Sequence, residues 1–355
     1  MTEGNRPECD IVIAVWNLRD ITMRCIESII KNTDYPYHII IVDNGSDYET
    51  KTYLEQLRDD SRIKKYTLIR NEENSGATKA FNQGMLAAKA PLILLLNNDT
   101  IVTKGWLTEM VRAINSAPDV GIVNPNSNNM GTRVPKNKTL DEFAKELSRR
   151  FSGKFIEQGL AVGFCYLMKR KMLDEIGIWN ESYGFGNYEE TEHCILARRA
   201  GYRFLMAKGT YVFHEEHATF KTLTVDPGLL ERQFEDNKKK FENKYGITKR
   251  ILYIATNPNE ELIEKVKKGS HAAASNGMWV HIIAKRGLSS YNFKDRKHGW
   301  VKVFFYIPIF FRLRCLIRVL IKKKAYHEIY VDDIKLYRLL EKFTRMRKSM
   351  IFLVQ

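Results

Sequence analysis

The 355-residue chain lacks long apolar runs. A membrane-spanning helix requires about 20 consecutive apolar residues. The stretch richest in apolar residues, 300–324, is interrupted by Lys302, Arg312, Arg314 and Arg318, which argues against a membrane-spanning helix. The N-terminus, MTEGNRPECD, is polar and has no signal-peptide core. We therefore expect a cytoplasmic protein.

Cysteine is also scarce, and its pattern excludes two classes of small fold. The five cysteines are scattered, and no C-x-x-C pair occurs. This argues against a disulfide framework and a structural zinc site, and for a reducing compartment. The positions are Cys9, Cys25, Cys165, Cys194 and Cys315.

Positive charge is concentrated near the end of the chain. Residues 251–355 hold 21 Lys and Arg against 8 Asp and Glu, which is most of the formal net charge of +15. A basic region indicates an anionic partner, either a membrane or a nucleic acid, or a solvated face without a partner. Since no nucleic-acid motif with interleaved aromatic residues is present, we expect no nucleic-acid partner.

Residues 10–125 alternate short apolar runs with helical patterns, which predicts a doubly wound parallel α/β sheet. The predicted strands are 10–15, 38–42, 65–69, 91–96 and 120–123, and the predicted helices are 18–32, 47–60, 75–89 and 104–116. Further strands are predicted at 161–168, 203–207 and 210–214, with helices at 139–150, 187–200 and 227–245.

Three polar clusters follow predicted strands: Trp16-Asn17, Asp43–Ser46 and Asn97–Asp99. Because parallel strands end at one edge of a sheet, we expect these clusters to converge. Asp99 after the buried run 91–96 is placed to hold a divalent cation and, through it, a diphosphate. Alternatively, this stretch is an ordinary polar exit from the strand.

A second strand–helix pattern begins after residues 245–250, so we predict domains at 1–248 and 249–355. Strands are predicted at 251–255, 279–284, 327–331 and 349–354, and helices at 259–275, within 300–324 and at 333–345. This partial Rossmann-like region loosely resembles the N-terminal half of a GT-B glycosyltransferase. It has no G-x-G-x-x-G after its first strand. Because the chain stops on a strand, we expect this domain to continue beyond Gln355.

Several motifs occur in a characteristic order in the first 220 residues. They are Val12–Asn17, Val42–Ser46, Asn74–Gly76 with Asn82–Gly84, Leu96–Thr100, Gly163, Glu189–Cys194 and His214 with Thr219. Together they resemble the inverting glycosyltransferase family 2. The resemblance implies a GT-A nucleotide-diphospho-sugar transferase fold.

The resemblance also implies a metal site. Asp99 corresponds to a metal ligand, although Asn97 replaces the first carboxylate of the family's Asp-x-Asp motif. His214 corresponds to a second ligand, with His217 as a nearby competitor, or it is a packed histidine at the end of a strand. This donor set suits Mn²⁺ or Mg²⁺.

The nucleotide contacts implied by the resemblance come from the strand-end loops. The residues are Val15, Trp16, Asn17, Asp43, Gly76 and Asn98. Asp43 would hydrogen-bond the pyrimidine, which is compatible with a UDP-sugar or a dTDP-sugar. The sequence Asp43–Ser46 is equally typical of a tight turn with an N-cap.

The implied catalytic base is Glu190, with Glu189 as the alternative. The spacing from Asn187 to Glu190 is also that of a helix-capping box. The loop 178–187 and Gly163 are expected to shape the acceptor pocket, in which Trp179, Tyr183 and Phe185 stack on sugars or simply pack within the loop.

The sequence thus predicts a metal-dependent inverting hexosyltransferase. It would use a nucleotide-sugar donor and a glycan or lipid-linked acceptor in surface polysaccharide synthesis. The alternative is a catalytically inactive sugar-nucleotide or glycan binding module. Residues 300–324 predict either an interfacial helix on anionic lipid at the inner face of the membrane or a buried helix with a solvated charged flank.

Overall fold

A computed structural model describes residues 8–184, 186–215, 227–257, 259–286, 298–322, 324–344 and 348–354. The chain forms two compact units. Unit 1 comprises Met1–Phe155 and Leu160–Tyr245, and unit 2 comprises Ile156–Gly159 and Gly246–Gln355.

The main sheet of unit 1 has the strand order β3-β2-β1-β4-β8-β6-β9-β5. Its strands are β1 (Cys9–Val15), β2 (Tyr37–Asn44), β3 (Tyr66–Asn71), β4 (Leu92–Asn97), β5 (Thr100–Val102), β6 (Val120–Asn126), β8 (Cys165–Lys169) and β9 (Arg203–His214). A short strand, β7 (Phe155–Gln158), precedes β8.

In the described part of unit 1, eight α-helices connect these strands or follow them. They are α1 (Arg19–Asn32), α2 (Tyr48–Gln56), α3 (Ala77–Ala87), α4 (Trp106–Ile114), α5 (Leu140–Phe151), α6 (Arg170–Ile176), α7 (Glu189–Arg199) and α8 (Pro227–Tyr245). Local sequence fixes several of their starts. Asp47 caps α2 by accepting a hydrogen bond from the Thr50 N–H, and Thr139 and Glu142 form a capping box on α5.

The central strands are buried on both faces, which explains their continuous apolar runs. One face of the sheet packs against α1 and α4, with Ile26 and Trp106 in that layer. The other face packs against α3 and α6, with Met85 and Met172. Gly84 allows α3 to lie directly on β1, because a Cβ there would be 2.1 Å from Cγ1 of Val12.

The α/β prediction is confirmed, but the sheet is mixed rather than wholly parallel. Strand β8 runs antiparallel to both β4 and β6, and β5 runs antiparallel to β9. A strand buried on both faces has the same apolar pattern in either direction, so the sequence pattern did not reveal the reversal.

The predicted convergence of the strand ends is also confirmed. Val15 pairs with Asp43 across β1 and β2, and Ala14 pairs with Asn97 across β1 and β4. On the other side of the turn, Thr100 pairs with His214. These registers bring the ends of four strands to one edge of the sheet.

Unit 2 contains a five-stranded parallel sheet in the order β12-β11-β10-β13-β14. Its strands are β10 (Arg250–Ala255), β11 (Trp279–Lys285), β12 (Val301–Tyr306), β13 (Glu328–Val331) and β14 (Met350–Leu353). Its helices are α9 (Glu260–Ser275), α10 (Phe311–Ile321) and α11 (Ile334–Thr344).

Helix α9 packs on one face of this second sheet, and α10 and α11 pack on the other. The helix predicted within 300–324 is therefore confined to α10, since residues 301–306 form an edge strand instead. Within the described part of the chain, no helix is both long and apolar enough to cross a membrane.

Candidate active site

A cavity of about 500 Å³ lies in unit 1 at the edge where β1 and β4 end. Its wall includes an acidic pair, a histidine–aspartate pair and several aromatic side chains. Its lining residues include Val15, Trp16, Asn97, Asn98, Asp99, Asn129, Gly163, Phe164, Trp179, Glu189, Glu190 and His214. Nine of the residues predicted for the site therefore lie in one cavity wall.

Asp99 and His214 form the histidine–aspartate pair. Nε2 of His214 lies 3.0 Å from Oδ1 of Asp99, and both side chains are largely buried. Among the described residues, no donor makes a hydrogen bond of acceptable geometry to that Oδ1. Two buried electron-pair donors are thus adjacent without a proton aligned between them.

Neighbouring side chains hold the His214 ring in place. Phe164 stacks on it with centroids 5.0 Å apart, and the backbone of His214 exchanges two hydrogen bonds with the Asn128 side chain. The Asn97 amide nitrogen lies 3.3 Å from Nε2 of His214, and the Asn129 amide nitrogen lies 2.9 Å from Nδ1. A neutral imidazole has one N–H, so both amides cannot donate to it. If the Asn129 amide is rotated by a half-turn, it accepts from Nδ1–H, and Nε2 then accepts from the Asn97 amide.

These residues fit a divalent cation. Two ligands at right angles on an octahedral ion, each about 2.1 Å away, are separated by about 3.0 Å. Asp99 and His214 show that separation, and the unpartnered Oδ1 supplies an available lone pair. The described residues contain no cluster of three or more His, Cys, Asp or Glu side chains suited to a metal.

Asn98 helps to fix the turn that carries Asp99. Its side-chain nitrogen donates a hydrogen bond of 2.9 Å to the Thr22 hydroxyl in α1. The carbonyl oxygen of Asp99 accepts a hydrogen bond from the Glu215 N–H. The turn is therefore anchored to a helix and to the end of β9.

Asp43 lies behind the cavity wall rather than in it. Its fully buried carboxylate forms an ion pair with Arg70 at the end of β3, and it accepts a hydrogen bond from the Ser46 N–H. Arg70 also donates to the Ser46 carbonyl. The predicted turn is present here, and Arg70 is the partner that the sequence did not suggest.

The other predicted nucleotide contacts divide into two groups. Val15, Trp16 and Asn98 line the cavity, whereas Asn17 and Gly76 lie behind it. The Asn17 N–H donates to Ser46 Oγ, and the Asn17 side-chain oxygen accepts from the Asp47 N–H, which joins the loops after β1 and β2. Gly76, with a φ of 91°, is the N-cap of α3, and its carbonyl accepts from the Asn44 side chain.

Glu189 and Glu190 occupy the first turn of α7 and line the cavity. One carboxylate oxygen of each is buried without a hydrogen-bond partner among the described residues. Burial, together with the adjacent Glu190, raises the pKa of Glu189 to about 8. Burial also raises the pKa of Glu190, against the opposing effect of backbone N–H groups of Glu190 and Thr191. The pair therefore retains protons at a higher pH than ordinary glutamates.

The capping-box interpretation of Asn187 and Glu190 is wrong. Helix α7 starts at Glu189, its N-cap is Tyr188, and no side chain caps it. Asn187 and Tyr188 both adopt left-handed backbone conformations, with φ of 72° and 81°. Asn187 and Glu190 therefore do not form the reciprocal pair of a capping box.

Gly163 lies beside both Trp179 and Glu190. A Cβ built on Gly163 would be 3.6 Å from Trp179 and 3.8 Å from Glu190. Asn82 fixes the Trp179 backbone by donating to its carbonyl and accepting from its N–H. Among the described residues, the buried indole N–H of Trp179 has no hydrogen-bond partner.

Tyr183 is buried away from the cavity, where its hydroxyl donates a 2.6 Å hydrogen bond to Glu192. Lys244 and Asn180 also bind that carboxylate. Phe185, His217 and Thr219 lie outside the described residues. Sequence reasoning missed Phe164 and Asn129, because they reach the cavity only through long-range contacts.

Residues 10–177 match the model of the family described as glycosyl transferase family 2. The "Uncharacterized glycosyltransferase YwdF" of Bacillus subtilis (strain 168) is 25% identical over 274 residues, which cover 76% of this chain and 94% of that protein. The hyaluronan synthase of Pasteurella multocida is 23% identical over 257 residues, covering 60% of this chain and 25% of that protein.

The protein y4gI of Sinorhizobium fredii (strain NBRC 101917 / NGR234) is 23% identical over 229 residues. The alignment covers 60% of this chain and 25% of y4gI. Among solved structures, the mannosyltransferase PcManGT from Pyrobaculum calidifontis, in complex with GDP-Man and Mn²⁺, aligns with a TM-score of 0.47 and 16% identity. That alignment covers 59% of this chain and 57% of PcManGT.

Proposed function

Residues 10–177 belong to glycosyl transferase family 2 and adopt its GT-A fold, with a second α/β unit after it. From this premise we propose that the protein transfers a hexose from UDP-sugar or dTDP-sugar to a glycan or lipid-linked acceptor, with inversion, in surface polysaccharide synthesis. The observation that carries the proposal is that the Asp99–His214 pair and the Glu189–Glu190 pair line one cavity. We assign this activity to a domain at 1–248 and treat 249–355 as a separate domain.

At the donor end, Asp99 and His214 would hold Mn²⁺ or Mg²⁺. When bound, such an ion supplies charge neutralisation for the departing diphosphate. The unpartnered Asp99 Oδ1 and the ordered His214 ring support this assignment. Asn97, which replaces a second carboxylate, leaves this site with one acidic ligand.

The nucleotide would lie against the loops that follow β1 and β2. Trp16 lines the cavity and offers an indole face to a base. Asp43 lies under the same loops, where Arg70 holds its carboxylate. We propose that the pyrimidine is recognised by this loop pair, with Asn17 and Gly76 setting the shape of the loops.

Glu190 is the proposed general base. Its carboxylate accepts the proton from the acceptor hydroxyl while that oxygen forms a bond to the anomeric carbon. The bond between the anomeric carbon and the diphosphate oxygen breaks on the opposite face, and its electron pair leaves with the diphosphate. The raised pKa of Glu190, the result of its burial, makes it a stronger base than a solvated glutamate.

Gly163 and Trp179 would form the acceptor side of the site. Gly163 adjoins both Glu190 and Trp179, and the indole N–H of Trp179, unpaired among the described residues, is available to an acceptor oxygen. Excluding water from this wall favours transfer to the acceptor over hydrolysis.

A catalytically inactive sugar-nucleotide or glycan binding module is the second candidate, and Asn97 is the observation that favours it. The two are separated by a panel of nucleotide sugars, first in thermal-shift assays with Mn²⁺ and then in assays of diphosphate release. Donor-dependent stabilisation with release supports the enzyme, and Asp99→Asn should lose both signals. Stabilisation without release for any donor or acceptor supports the binding module.

A further inference from the structure

Helix α10 in unit 2 presents an exposed apolar face. Leu313, Ile317 and Ile321, spaced four residues apart, are 50%, 43% and 75% exposed. Ile309 and Phe310, just before the helix, are 67% and 69% exposed. These five side chains, here called the α10 face, contribute little to the core of the unit.

The opposite side of α10 already provides the packing that the fold requires. Phe311, Cys315 and Val319 are buried and pack in the core with Leu336 and Leu340 of α11. Phe310 is held outwards by a left-handed backbone with a φ of 59°, a conformation that is unfavourable for a bulky residue. The fold alone does not account for this exposed face.

A row of cations borders the α10 face. Arg314, Arg318 and Lys322 each follow one of the exposed residues Leu313, Ile317 and Ile321, so the basic row runs beside the apolar one. A cavity of about 470 Å³ is lined by Tyr306, Arg314, Ile317, Arg318, Ile321 and Lys322. Its wall combines three cations with apolar side chains.

These cations lie close to further positive charges. Burial, followed by Arg318, Arg250 and Lys302, lowers the pKa of Lys322 to about 8. Among the described residues, Arg314 and Arg318 form no ion pair with a carboxylate, and Arg318 donates hydrogen bonds to the hydroxyls of Tyr306 and Tyr326. An anion beside this row would relieve the mutual repulsion.

We propose that the α10 face docks on the surface of an anionic phospholipid bilayer, with the five apolar side chains among the acyl chains and Arg314, Arg318 and Lys322 on the lipid phosphates. The arrangement matches what an interfacial helix requires, namely an exposed apolar stripe flanked by cations. Charge complementarity favours a lipid surface over a second copy of this basic chain.

Sedimentation of the full chain with vesicles of phosphatidylcholine, with and without phosphatidylglycerol, tests the proposal. The chain should bind the anionic vesicles and bind neutral ones far less. Arg314→Glu should weaken binding by at least about fivefold, since each basic side chain near an anionic surface contributes about that factor. Ile317→Asp with Ile321→Asp should abolish binding.

Matched control substitutions are available at exposed positions away from the α10 face. Lys265 and Lys268 are exposed on α9, so Lys265→Glu and Lys268→Glu make the same charge changes away from the α10 face. Leu86→Asp, at a 65%-exposed position in unit 1, controls for a lost exposed aliphatic side chain. All three should bind as the unchanged chain does.

Three results would overturn the proposal. The first is equal binding to neutral and anionic vesicles, and the second is binding that survives both the Arg314→Glu and the double aspartate changes. The third is a concentration-dependent dimer in analytical ultracentrifugation that the double change dissociates, because the α10 face would then cover a second copy. Circular dichroism of each variant confirms that the exposed substitutions leave the fold intact.

Discussion

Nε2 of His214 lies 3.0 Å from Oδ1 of Asp99, and no hydrogen bond joins them. This contact places an imidazole nitrogen and a carboxylate oxygen side by side without a proton aligned between them. The arrangement is unfavourable in isolation, and a bound cation would stabilise it.

His214→Ala and Asp99→Asn should each weaken Mn²⁺ binding by more than about 100-fold, because each removes a direct ligand, and even outer partners of a metal site contribute about 10–100-fold. Calorimetric titration of Mn²⁺ in the presence of UDP measures this without requiring turnover. His271→Ala removes an imidazole from unit 2 and should leave the affinity unchanged. If His214→Ala binds Mn²⁺ as tightly as the unchanged chain, His214 is not a ligand.

Asn97→Asp should have the opposite effect on the same titration. It places a second carboxylate beside the pair, since the Asn97 amide already lies 3.3 Å from Nε2 of His214. We expect Mn²⁺ binding to tighten by about tenfold or more, because a hard anionic oxygen replaces a neutral amide. Unchanged affinity would show that the Asn97 side chain does not reach the cation.

Glu190→Gln should reduce transfer by about 10²–10⁴-fold while nucleotide binding is retained, because the amide cannot accept the acceptor proton. Glu189→Gln is the matched control, as the two residues are adjacent on α7 and both line the cavity. We expect the control to retain most of its activity. The reverse pattern would assign the base to Glu189.

Glu189 should also make stability depend on pH. Its folded pKa is about 8, because burial and Glu190 raise it above the value of an unfolded glutamate, about 4.3. Its contribution to stability is complete below pH 4 and is lost as the pH rises towards 8. Glu189→Gln should therefore increase the free energy of unfolding at pH 7, by on the order of 1–3 kcal/mol, and flatten the pH profile.

Urea unfolding at pH 5 and pH 8 measures this dependence, and Glu192 provides the control of opposite sign. Although burial acts in the other direction, hydrogen bonds from Tyr183, Lys244 and Asn180 lower the pKa of Glu192. Glu192→Gln should therefore destabilise the protein at neutral pH, and less so as the pH falls. Parallel pH profiles for all three proteins would contradict the assignment of Glu189.

Gly163→Ala should raise the acceptor KM by about tenfold, since a methyl in a shaped pocket changes binding by about 10–200-fold. The new Cβ fits at 3.6 Å from Trp179 and 3.8 Å from Glu190, so folding should be preserved. The KM for the nucleotide-sugar donor and the free energy of unfolding in urea should both stay unchanged. Gly84→Ala, by contrast, should destabilise the protein, because its Cβ would be 2.1 Å from Val12.

Much of the fold could be predicted because its central strands are buried on both faces. Strands β1, β2 and β4 give uninterrupted apolar runs, and each was predicted to within two residues at either end. Strand β9 was predicted as two strands but is continuous. Gly209 within it marks a close approach, since a Cβ there would be 2.7 Å from the backbone of Ser152. Such an approach depends on tertiary packing, which a local pattern does not contain.

Strand β12 was missed for a different reason. Its aromatic and apolar residues run on through Pro308 into α10, so no break in composition marks the end of the strand. Pairing with β11 decides the conformation. An apolar run of this kind has no periodicity that separates a strand from a helix.

In the candidate site, the residues at strand and helix ends were predictable, and their partners were not. Asp99 follows β4 and Glu190 opens α7, positions that local patterns identify. Arg70 and Phe164 are joined to Asp43 and His214 by contacts between distant parts of the chain. Tyr183 was predicted for the acceptor pocket, but its hydroxyl donates a hydrogen bond to Glu192 and does not line the cavity.

The placement of His214 at the end of β9 has one further consequence. Thr100, the residue after Asp99, is its direct cross-strand partner, and the Glu215 N–H donates to the Asp99 carbonyl. The spacing between imidazole and carboxylate is therefore dictated by a ladder of peptide groups rather than by mobile side chains. Such a scaffold is preorganised. Binding of a nucleotide-sugar donor would therefore not incur the entropy cost of ordering these two side chains.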